Sequence, residues 1–296
     1  VSERMQTLRG LKERDDQFMA KAFDLFQEKY YNGYPYHYPA GVEGDVKNLS
    51  REDVISLYQQ VYKPQNLIIC VVWPVDDDDV RAKFSEFVKS LSSDAAARLP
   101  DSQVATLPQF HAPEKNADNI IKRETVANWV IMGFPAPAEK DADEIPMQVM
   151  NGVMGGSMNS RLFTEVRDKK GMAYQIGSSY AKRMGPSFWA AYFGTKGPQL
   201  NDAKKAVLTE IEKIKSTPVS DDELKNTKAY MKGTFQIGQE HNMSRADLYA
   251  EFESEGRGSD YVSEYPKLID QVTADDVLRV AQKYLNTMIV GAVLPK

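Results

Sequence analysis

Residues 155–180 read GGSMNSRLFTEVRDKKGMAYQIGSSY, and they predict a glycine break, a short charged helix and a strand that carries tyrosines. The pair of glycines that opens the segment indicates the break. Either Ser157 or Asn159 is placed to cap the N-terminus of the helix. Gly171 follows the charged residues, at a position where glycine commonly ends a helix. The segment therefore predicts a helix that leads through a tight turn into a strand.

The spacing of the residues after the turn changes to period two, which is typical of a strand. One face of this strand carries Tyr174, Ile176, Ser178 and Tyr180. Arg167 in the last helical turn and Tyr174 flank the same turn, so a guanidinium and a phenol can converge there on a ligand. Spacing alone favours a surface ion pair of Arg167 with Glu165 or Asp168 over a binding role. It equally fits a half-buried strand position for Tyr174.

The length and composition limit the class of protein. The chain has 296 residues, enough for about two domains that each bury a core. An apolar fraction of 42% and a charged fraction of 27% are typical of a globular protein. The net charge of -5 argues against a nucleic-acid partner, and the longest nearly apolar runs are too short for a membrane span. We expect a soluble protein, whose single cysteine, Cys70, is a core residue on a buried strand.

A polar stretch that contains several prolines separates two segments with regular apolar periodicity. We therefore predict a first domain over residues 1–94, a linker over 95–116 and a second domain over 117–296. Within the second domain, the sequence predicts an antiparallel hairpin that pairs residues 174–180 with residues 187–193.

An internal similarity relates residues 49–72 to residues 272–295. Each segment predicts a helix with a capping box, a short break and a buried strand, which in the first segment spans Asn66–Val72. We therefore expect two copies of one α+β domain, the first without its N-terminal half. Residues 1–4 resemble the interior of a helix, which also leads us to expect a piece of a longer protein.

The histidines of the chain are His37, His111 and His241. None has another histidine within about three to five residues, so a His-x-x-Glu-His zinc motif is absent in either orientation. Glu240 beside His241 is the nearest approach to a ligand pair, and a solvated pair at a helix end explains it. The sequence also has no Gly-x-Ser-x-Gly elbow. We therefore expect neither a catalytic zinc nor a catalytic nucleophile in this chain.

Residues 155–180 resemble the signature of the pitrilysin-like (M16) zinc peptidases, in the half of those enzymes that does not hold the zinc. The resemblance rests on Gly-Gly, then Ser-Arg-Leu-Phe, then an arginine and a tyrosine seven residues later. It extends over essentially the whole chain. It implies an α+β fold of two M16-type α/β-roll domains, the first one partial, each with a mostly antiparallel sheet and helices packed on it.

In that family the arginine and tyrosine hydrogen-bond the substrate peptide and position it over zinc held by another domain. The resemblance therefore implies this role for Arg167 and Tyr174. The implied partners are a peptide or unfolded protein substrate and a catalytic M16 subunit or domain with the His-x-x-Glu-His motif. The resemblance implies no cofactor in this chain, since the zinc belongs to that partner, and the chain alone is expected to be inactive.

The third zinc ligand of the family, a glutamate, aligns with Gly10, and a neighbouring upstream acid aligns with Glu3. Because glycine cannot ligate zinc, we expect a non-catalytic subunit or half. Two alternatives stay open: an interaction scaffold that keeps the M16 fold without peptidase work, and a piece of an active single-chain zinc protease. Family analogy favours the periplasm over the cytoplasm.

Overall fold

The computed structural model describes residues 2–38, 40–63, 66–73, 77–90 and 107–296. Its α-helices are α1 (Ser2–Asp16), α2 (Phe18–Tyr31), α3 (Glu43–Asn48), α4 (Arg51–Val61), α5 (Asp77–Ser90), α6 (Glu144–Met154), α7 (Leu200–Ser216), α8 (Asp221–Ile237), α9 (Asn242–Ser254), α10 (Tyr261–Gln271) and α11 (Ala274–Tyr284). Its strands are β1 (Ala117–Arg123), β2 (Ala127–Ala136), β3 (Gln175–Ala181), β4 (Ser187–Lys196) and β5 (Ile289–Pro295). A π-helix spans Leu162–Asp168. Among the described residues, no helix has both the length and the apolar character needed to cross a membrane.

The strands form one sheet in the order β1-β5-β2-β4-β3. The pairing of β1 with β5 is parallel, and the other neighbouring pairs are antiparallel. The predicted hairpin is confirmed, because Ile176 lies opposite Phe193 and Tyr180 lies opposite Trp189. This combination of helices with a mostly antiparallel sheet confirms the predicted α+β class.

Helix α2 packs on one face of the sheet, where Phe26 lies against Gly133 of β2 and Gly291 of β5. A Cβ atom at Gly291 would lie 2.3 Å from the carbonyl oxygen of Ala22, so a glycine is needed for this close approach. Intervening residues of β2 and β5 point to the opposite face, because side chains alternate along a strand. Those buried residues include Val130, Met132, Val290 and Ala292. The sheet is therefore covered on both faces.

Contacts divide the chain into two compact units. The first unit contains residues 1–43, 108–233 and 266–296, and it includes the whole sheet. The second contains residues 44–107 and 234–265. Helices α1 and α2 therefore share a unit with the sheet, although they precede the predicted linker in the sequence and the strands follow it. The predicted domain and linker boundaries stay predictions, since more than half of the linker lies outside the described residues.

The two segments of the internal repeat begin with the same capping arrangement, as predicted. At the start of α4, the Ser50 hydroxyl accepts a hydrogen bond from the Asp53 N–H at 3.1 Å. At the start of α11, the Thr273 hydroxyl accepts from the Asp276 N–H at 3.1 Å. Each carboxylate in turn accepts the N–H of its cap residue. The capping boxes satisfy backbone donors that the first helical turn leaves free.

The strand predicted over Asn66–Val72 is wrong, because residues 67–73 lie in no strand. In the second copy, β5 forms its ladder with β1 on one side and β2 on the other. Within the described part of the chain, residues 67–73 have no such neighbours, and a strand is stabilised only by pairing. Cys70 is accordingly half-buried instead of a core residue on a strand.

Candidate functional site

The helix predicted after the glycine pair is present, and most of it is the π-helix Leu162–Asp168, which contains Arg167. Its wider hydrogen bonding is visible at Lys169, whose N–H donates to the carbonyl oxygen of Thr164, five residues back, at 3.0 Å. Segments of π-helix are rare and occur frequently at functional sites. The backbone around Arg167 therefore has an unusual conformation that the sequence pattern did not predict.

The helical residues begin at Arg161, so the predicted N-cap at Ser157 or Asn159 is wrong. The Ser157 hydroxyl instead accepts the Asn159 N–H inside the turn that precedes the helix. Arg161 then makes a bidentate ion pair with Glu223 of α8, with both N–O distances at 2.7 Å. The hydrogen bonds to Glu223 raise the pKa of Arg161. This arginine of the motif therefore anchors the helix to α8.

Arg167 has a different environment from Arg161. Its guanidinium carbon lies 4.4 Å from the centroid of the Phe163 ring, a cation–π contact between residues four apart. Glu165 pairs with Lys169 at 2.6 Å and not with Arg167. Among the described residues, Arg167 makes no ion pair, so the surface ion-pair interpretation is wrong. No carboxylate of the described residues therefore occupies the donors of this partly exposed guanidinium.

The turn between Arg167 and Tyr174 is fixed by backbone hydrogen bonds. Gly171 has a φ of +61°, which confirms the predicted left-handed glycine at the helix end. Its N–H donates to the Arg167 carbonyl at 2.9 Å, and the Met172 N–H donates to the Val166 carbonyl at 3.0 Å. The helix end and the turn therefore form one hydrogen-bonded unit.

Tyr174 lies at the entrance to the edge strand β3, and its side chain is 50% exposed. Its N–H donates to the carbonyl of Gly194 on β4 at 2.9 Å, which fixes the backbone from which the phenol projects. Arg167 and Tyr174 thus flank one hydrogen-bonded turn, as the sequence predicted. A guanidinium and a phenol in this position can donate hydrogen bonds to carbonyl or carboxylate oxygens.

Gly155 brings the end of α6 against β3, as expected for a glycine that lets two backbones approach. A Cβ atom at Gly155 would lie 2.2 Å from the Ser178 nitrogen. The Asn151 side-chain oxygen accepts hydrogen bonds from the Ser178 hydroxyl at 2.8 Å and from the Trp189 indole at 2.9 Å. These contacts hold the end of α6, β3 and β4 together.

Two residues near this turn were not predicted as site residues. Phe163 contacts Arg167, and the spacing of four residues on a helix was a signal that could have found it. Thr195 of β4 donates from its hydroxyl to the Met172 carbonyl at 2.6 Å. No local pattern indicates this second contact, because the two residues are brought together by the fold.

The histidines do not fit a zinc site. His37 bonds the Tyr34 carbonyl through Nδ1 and its ring packs on Tyr38, His111 is exposed, and His241 lies at the N-terminus of α9. No group of three or more His, Cys, Asp or Glu side chains suited to a metal ion occurs in the described ranges. The described residues therefore offer no ligand set for the zinc that the catalytic members of the family hold.

Comparison with known families gives a decisive match. The family model described as the peptidase M16 inactive domain matches residues 48–231, more than half of the chain. The chain belongs to the peptidase M16 inactive-domain family. The match includes the glycine pair, the π-helix and both Arg167 and Tyr174, so the residues of the candidate site lie inside the family domain.

Known relatives of this M16 chain are named zinc proteases. An uncharacterised zinc protease of Streptomyces coelicolor is 28% identical over 83% of this chain and 53% of its own length. The zinc protease PqqE of Helicobacter pylori is 24% identical over 86% of this chain and 56% of its own length. The chain therefore spans about half the length of these curated relatives.

Solved structures share the fold of this M16 chain. A peptidase M16 inactive domain from Pseudomonas fluorescens covers 100% of the chain with a TM-score of 0.86 and 17% identity, over 70% of its own chain. The periplasmic protease PqqL from Escherichia coli also covers 100% of the chain, with a TM-score of 0.70 and 16% identity, over 32% of its own chain. These likenesses confirm the M16 fold.

Proposed function

We propose that this chain is a non-catalytic M16 peptidase subunit or half that binds a substrate peptide through Arg167 and Tyr174 and presents it to a zinc-bearing partner domain. The observation that supports this role most strongly is the pair's setting. Both residues flank a turn fixed by hydrogen bonds, and the Arg167 guanidinium has no carboxylate partner among the described residues. Arg161, an arginine with a structural role, instead donates its hydrogen bonds to Glu223 in an ion pair.

The two side chains suit the recognition of peptide oxygens. The guanidinium is planar and permanently charged, and it can donate hydrogen bonds to a carbonyl oxygen or two parallel hydrogen bonds to a terminal carboxylate. The Tyr174 hydroxyl adds a neutral donor from a half-exposed position. Holding the substrate in a fixed orientation lowers the entropic part of the barrier to a reaction performed elsewhere. The contribution of this chain is therefore binding and orientation, with no proton transfer assigned to it.

The zinc of the proposed assembly belongs to the partner. Relatives that are about twice as long are named zinc proteases, while the described residues of this chain contain no suitable ligand cluster. A zinc ion in such a partner supplies a bound water of lowered pKa for hydrolysis. The partner is expected to carry the His-x-x-Glu-His motif, on a separate chain or on another part of the same one.

The fold neighbour PqqL is a periplasmic protease, and we propose the same location for this chain.

A second solved structure of similar fold bears on the alternative function, an interaction scaffold without peptidase work. A chain of complex III2 from Candida albicans covers 99% of this chain with a TM-score of 0.80 and 11% identity, over 70% of its own chain. Affinity capture with the tagged chain separates the two functions. A captured protein with a His-x-x-Glu-His motif supports the peptidase role, and capture of non-peptidase subunits alone supports the scaffold.

Hydrolysis of a peptide substrate by the chain together with its zinc-bearing partner tests the proposal. Arg167→Ala is expected to lower kcat/KM about tenfold or more, and Tyr174→Phe about threefold, because each removes a hydrogen bond to the substrate. Zinc content of the assembly should stay unchanged. Tyr230→Phe is a matched control, since Tyr230 is 51% exposed and Tyr174 is 50% exposed. Wild-type turnover by both site variants would refute the role of the pair.

A further inference from the structure

The carboxyl end of β4 is the part of the sheet that touches the turn between Arg167 and Tyr174. Two consecutive residues of β4 make the contacts. The Gly194 carbonyl accepts the Tyr174 N–H at 2.9 Å, and the Thr195 hydroxyl donates to the Met172 carbonyl at 2.6 Å. The first bond continues the backbone ladder of the hairpin, whereas the second depends on a side chain. Thr195 is therefore the residue whose substitution changes the attachment of the turn without altering the backbone ladder.

Thr195 is fully buried, with 0% of its surface exposed. A hydroxyl in such a place is retained only with a partner, since an unpaired buried hydroxyl is costly. Its partner is a turn carbonyl that lies outside the strand pairing. The hydroxyl therefore links the rigid sheet to the turn.

The end of β4 is also fixed from its other side. The buried Asn128 side chain of β2 donates to the carbonyls of Lys196 at 3.0 Å and Gly197 at 3.3 Å. The Trp129 ring occupies the space above Gly194, where an added Cβ atom would lie 2.6 Å from the ring. The anchor of the turn is thus held by two neighbouring residues of β2. A displacement of the Met172 carbonyl from this fixed end of β4 therefore breaks the Thr195 bond.

We propose that Thr195 is a positioning residue, whose hydroxyl holds the turn so that Tyr174 and Arg167 contact the same peptide. This inference rests on the proposed function, because it assigns Thr195 a task only if that pair binds substrate. Thr195 itself touches no substrate. Its effect on binding passes through Tyr174, two residues beyond the carbonyl that its hydroxyl holds.

The first test measures the affinity of the full chain for fluorescein-labelled β-casein, an unfolded protein, by fluorescence anisotropy. Thr195→Val removes the hydroxyl at nearly constant volume and is expected to weaken binding about fivefold, as one lost hydrogen bond does. Thr195→Ser keeps the hydroxyl and is expected to restore affinity to within about twofold. Thr195→Ala is a second hydroxyl-free variant, in case the buried valine prevents folding, which thermal unfolding will show.

Tyr30→Phe provides the matched control for a merely structural hydroxyl. Tyr30 is buried, and its hydroxyl donates to the Ser187 carbonyl at 2.8 Å, at the opposite end of β4. This variant removes a bond of the same kind from the same strand without touching the turn. It is expected to change the unfolding temperature and to leave the affinity for β-casein unchanged. A loss of affinity in Tyr30→Phe equal to that in Thr195→Val would overturn the positioning role.

A double-mutant cycle with Tyr174→Ala separates this proposal from the proposed function. If Thr195 acts through Tyr174, Thr195→Val should weaken binding less than about twofold further in the Tyr174→Ala chain. Equal weakening in both backgrounds, or none in the wild-type background, overturns the role of Thr195 while the peptide-binding pair stands. Unchanged affinity in Tyr174→Ala and Arg167→Ala overturns the proposed function itself.

Discussion

At the scale of single residues, Asp143 is a buried carboxylate that accepts hydrogen bonds from three side chains of one helix. It lies at the N-terminus of α6 and is 4% exposed. Arg279, Lys283 and Tyr284 of α11 all donate to it, Lys283 at 2.6 Å and Tyr284 at 3.0 Å. Burial acts to raise the pKa of Asp143, but the hydrogen bonds from these three donors outweigh it and hold the pKa below its ordinary value. The carboxylate therefore clamps α6 to α11.

This clamp predicts a pH-dependent stability. The lowered pKa stabilises the fold fully above the unfolded value of about 4, and the contribution is lost as the pH falls through the folded pKa. Asp143→Asn is expected to lower the free energy of unfolding by about 2 kcal/mol at pH 7. Urea unfolding at a series of pH values should show the two curves converging in acid. As a control, Asp275→Asn changes an exposed acid of α11 and should lower the free energy of unfolding by less than about 0.5 kcal/mol. A difference in the free energy of unfolding between Asp143→Asn and wild type that stays constant down to pH 2 would contradict the clamp.

At the scale of elements, α4 and α11 show how similar sequences acquire different burial. The aligned residues Val54 and Val277 are 53% and 0% exposed, and Leu57 and Val280 are 61% and 0% exposed. Helix α11 packs against α6 and α7, and the strand after it lies inside the sheet. The described residues supply no such cover for the apolar residues of α4 or for the segment 67–73 after it.

This difference predicts unequal costs for equivalent truncations. Val280→Ala should lower the free energy of unfolding by about 2 kcal/mol, because it leaves a cavity between packed helices. Leu57→Ala removes more side chain but should cost less than about 0.5 kcal/mol, since the leucine is exposed. Urea unfolding of both variants, monitored by circular dichroism, provides the comparison. An equal cost for the two would mean that the apolar face of α4 is covered in solution.

The elements also show what could be predicted from the sequence. Capping boxes, the left-handed Gly171 and the β3–β4 hairpin depend on neighbours in the chain, and all three are present. The strand at 67–73 depends on partner strands, and the contact of Thr195 with Met172 depends on the fold, so local pattern could not settle either. Likewise, no recognised pattern in the sequence indicated that the predicted helix is a π-helix.

At the scale of the whole chain, the unit that contains the sheet brings together segments from both ends and the middle of the sequence. Helix α2 covers one sheet face, and the Tyr30 hydroxyl reaches the Ser187 carbonyl on β4. The family match and the signature segment place Arg167 and Tyr174 within this unit, whereas the described residues contain no metal cluster. The role proposed for this unit is to bind a peptide through Arg167 and Tyr174.

The affinity of the chain for a peptide is the most direct test of that claim. The measurement is a titration of fluorescein-labelled β-casein with wild type, Arg167→Ala and Arg9→Ala. Each variant loses one positive charge, and Arg9→Ala is the control because the Arg9 side chain on α1 is 80% exposed. Arg167→Ala should weaken binding about tenfold or more, as the loss of a hydrogen bond from a charged group does. Arg9→Ala should bind like wild type. Equal affinities for all three proteins would contradict peptide binding by Arg167.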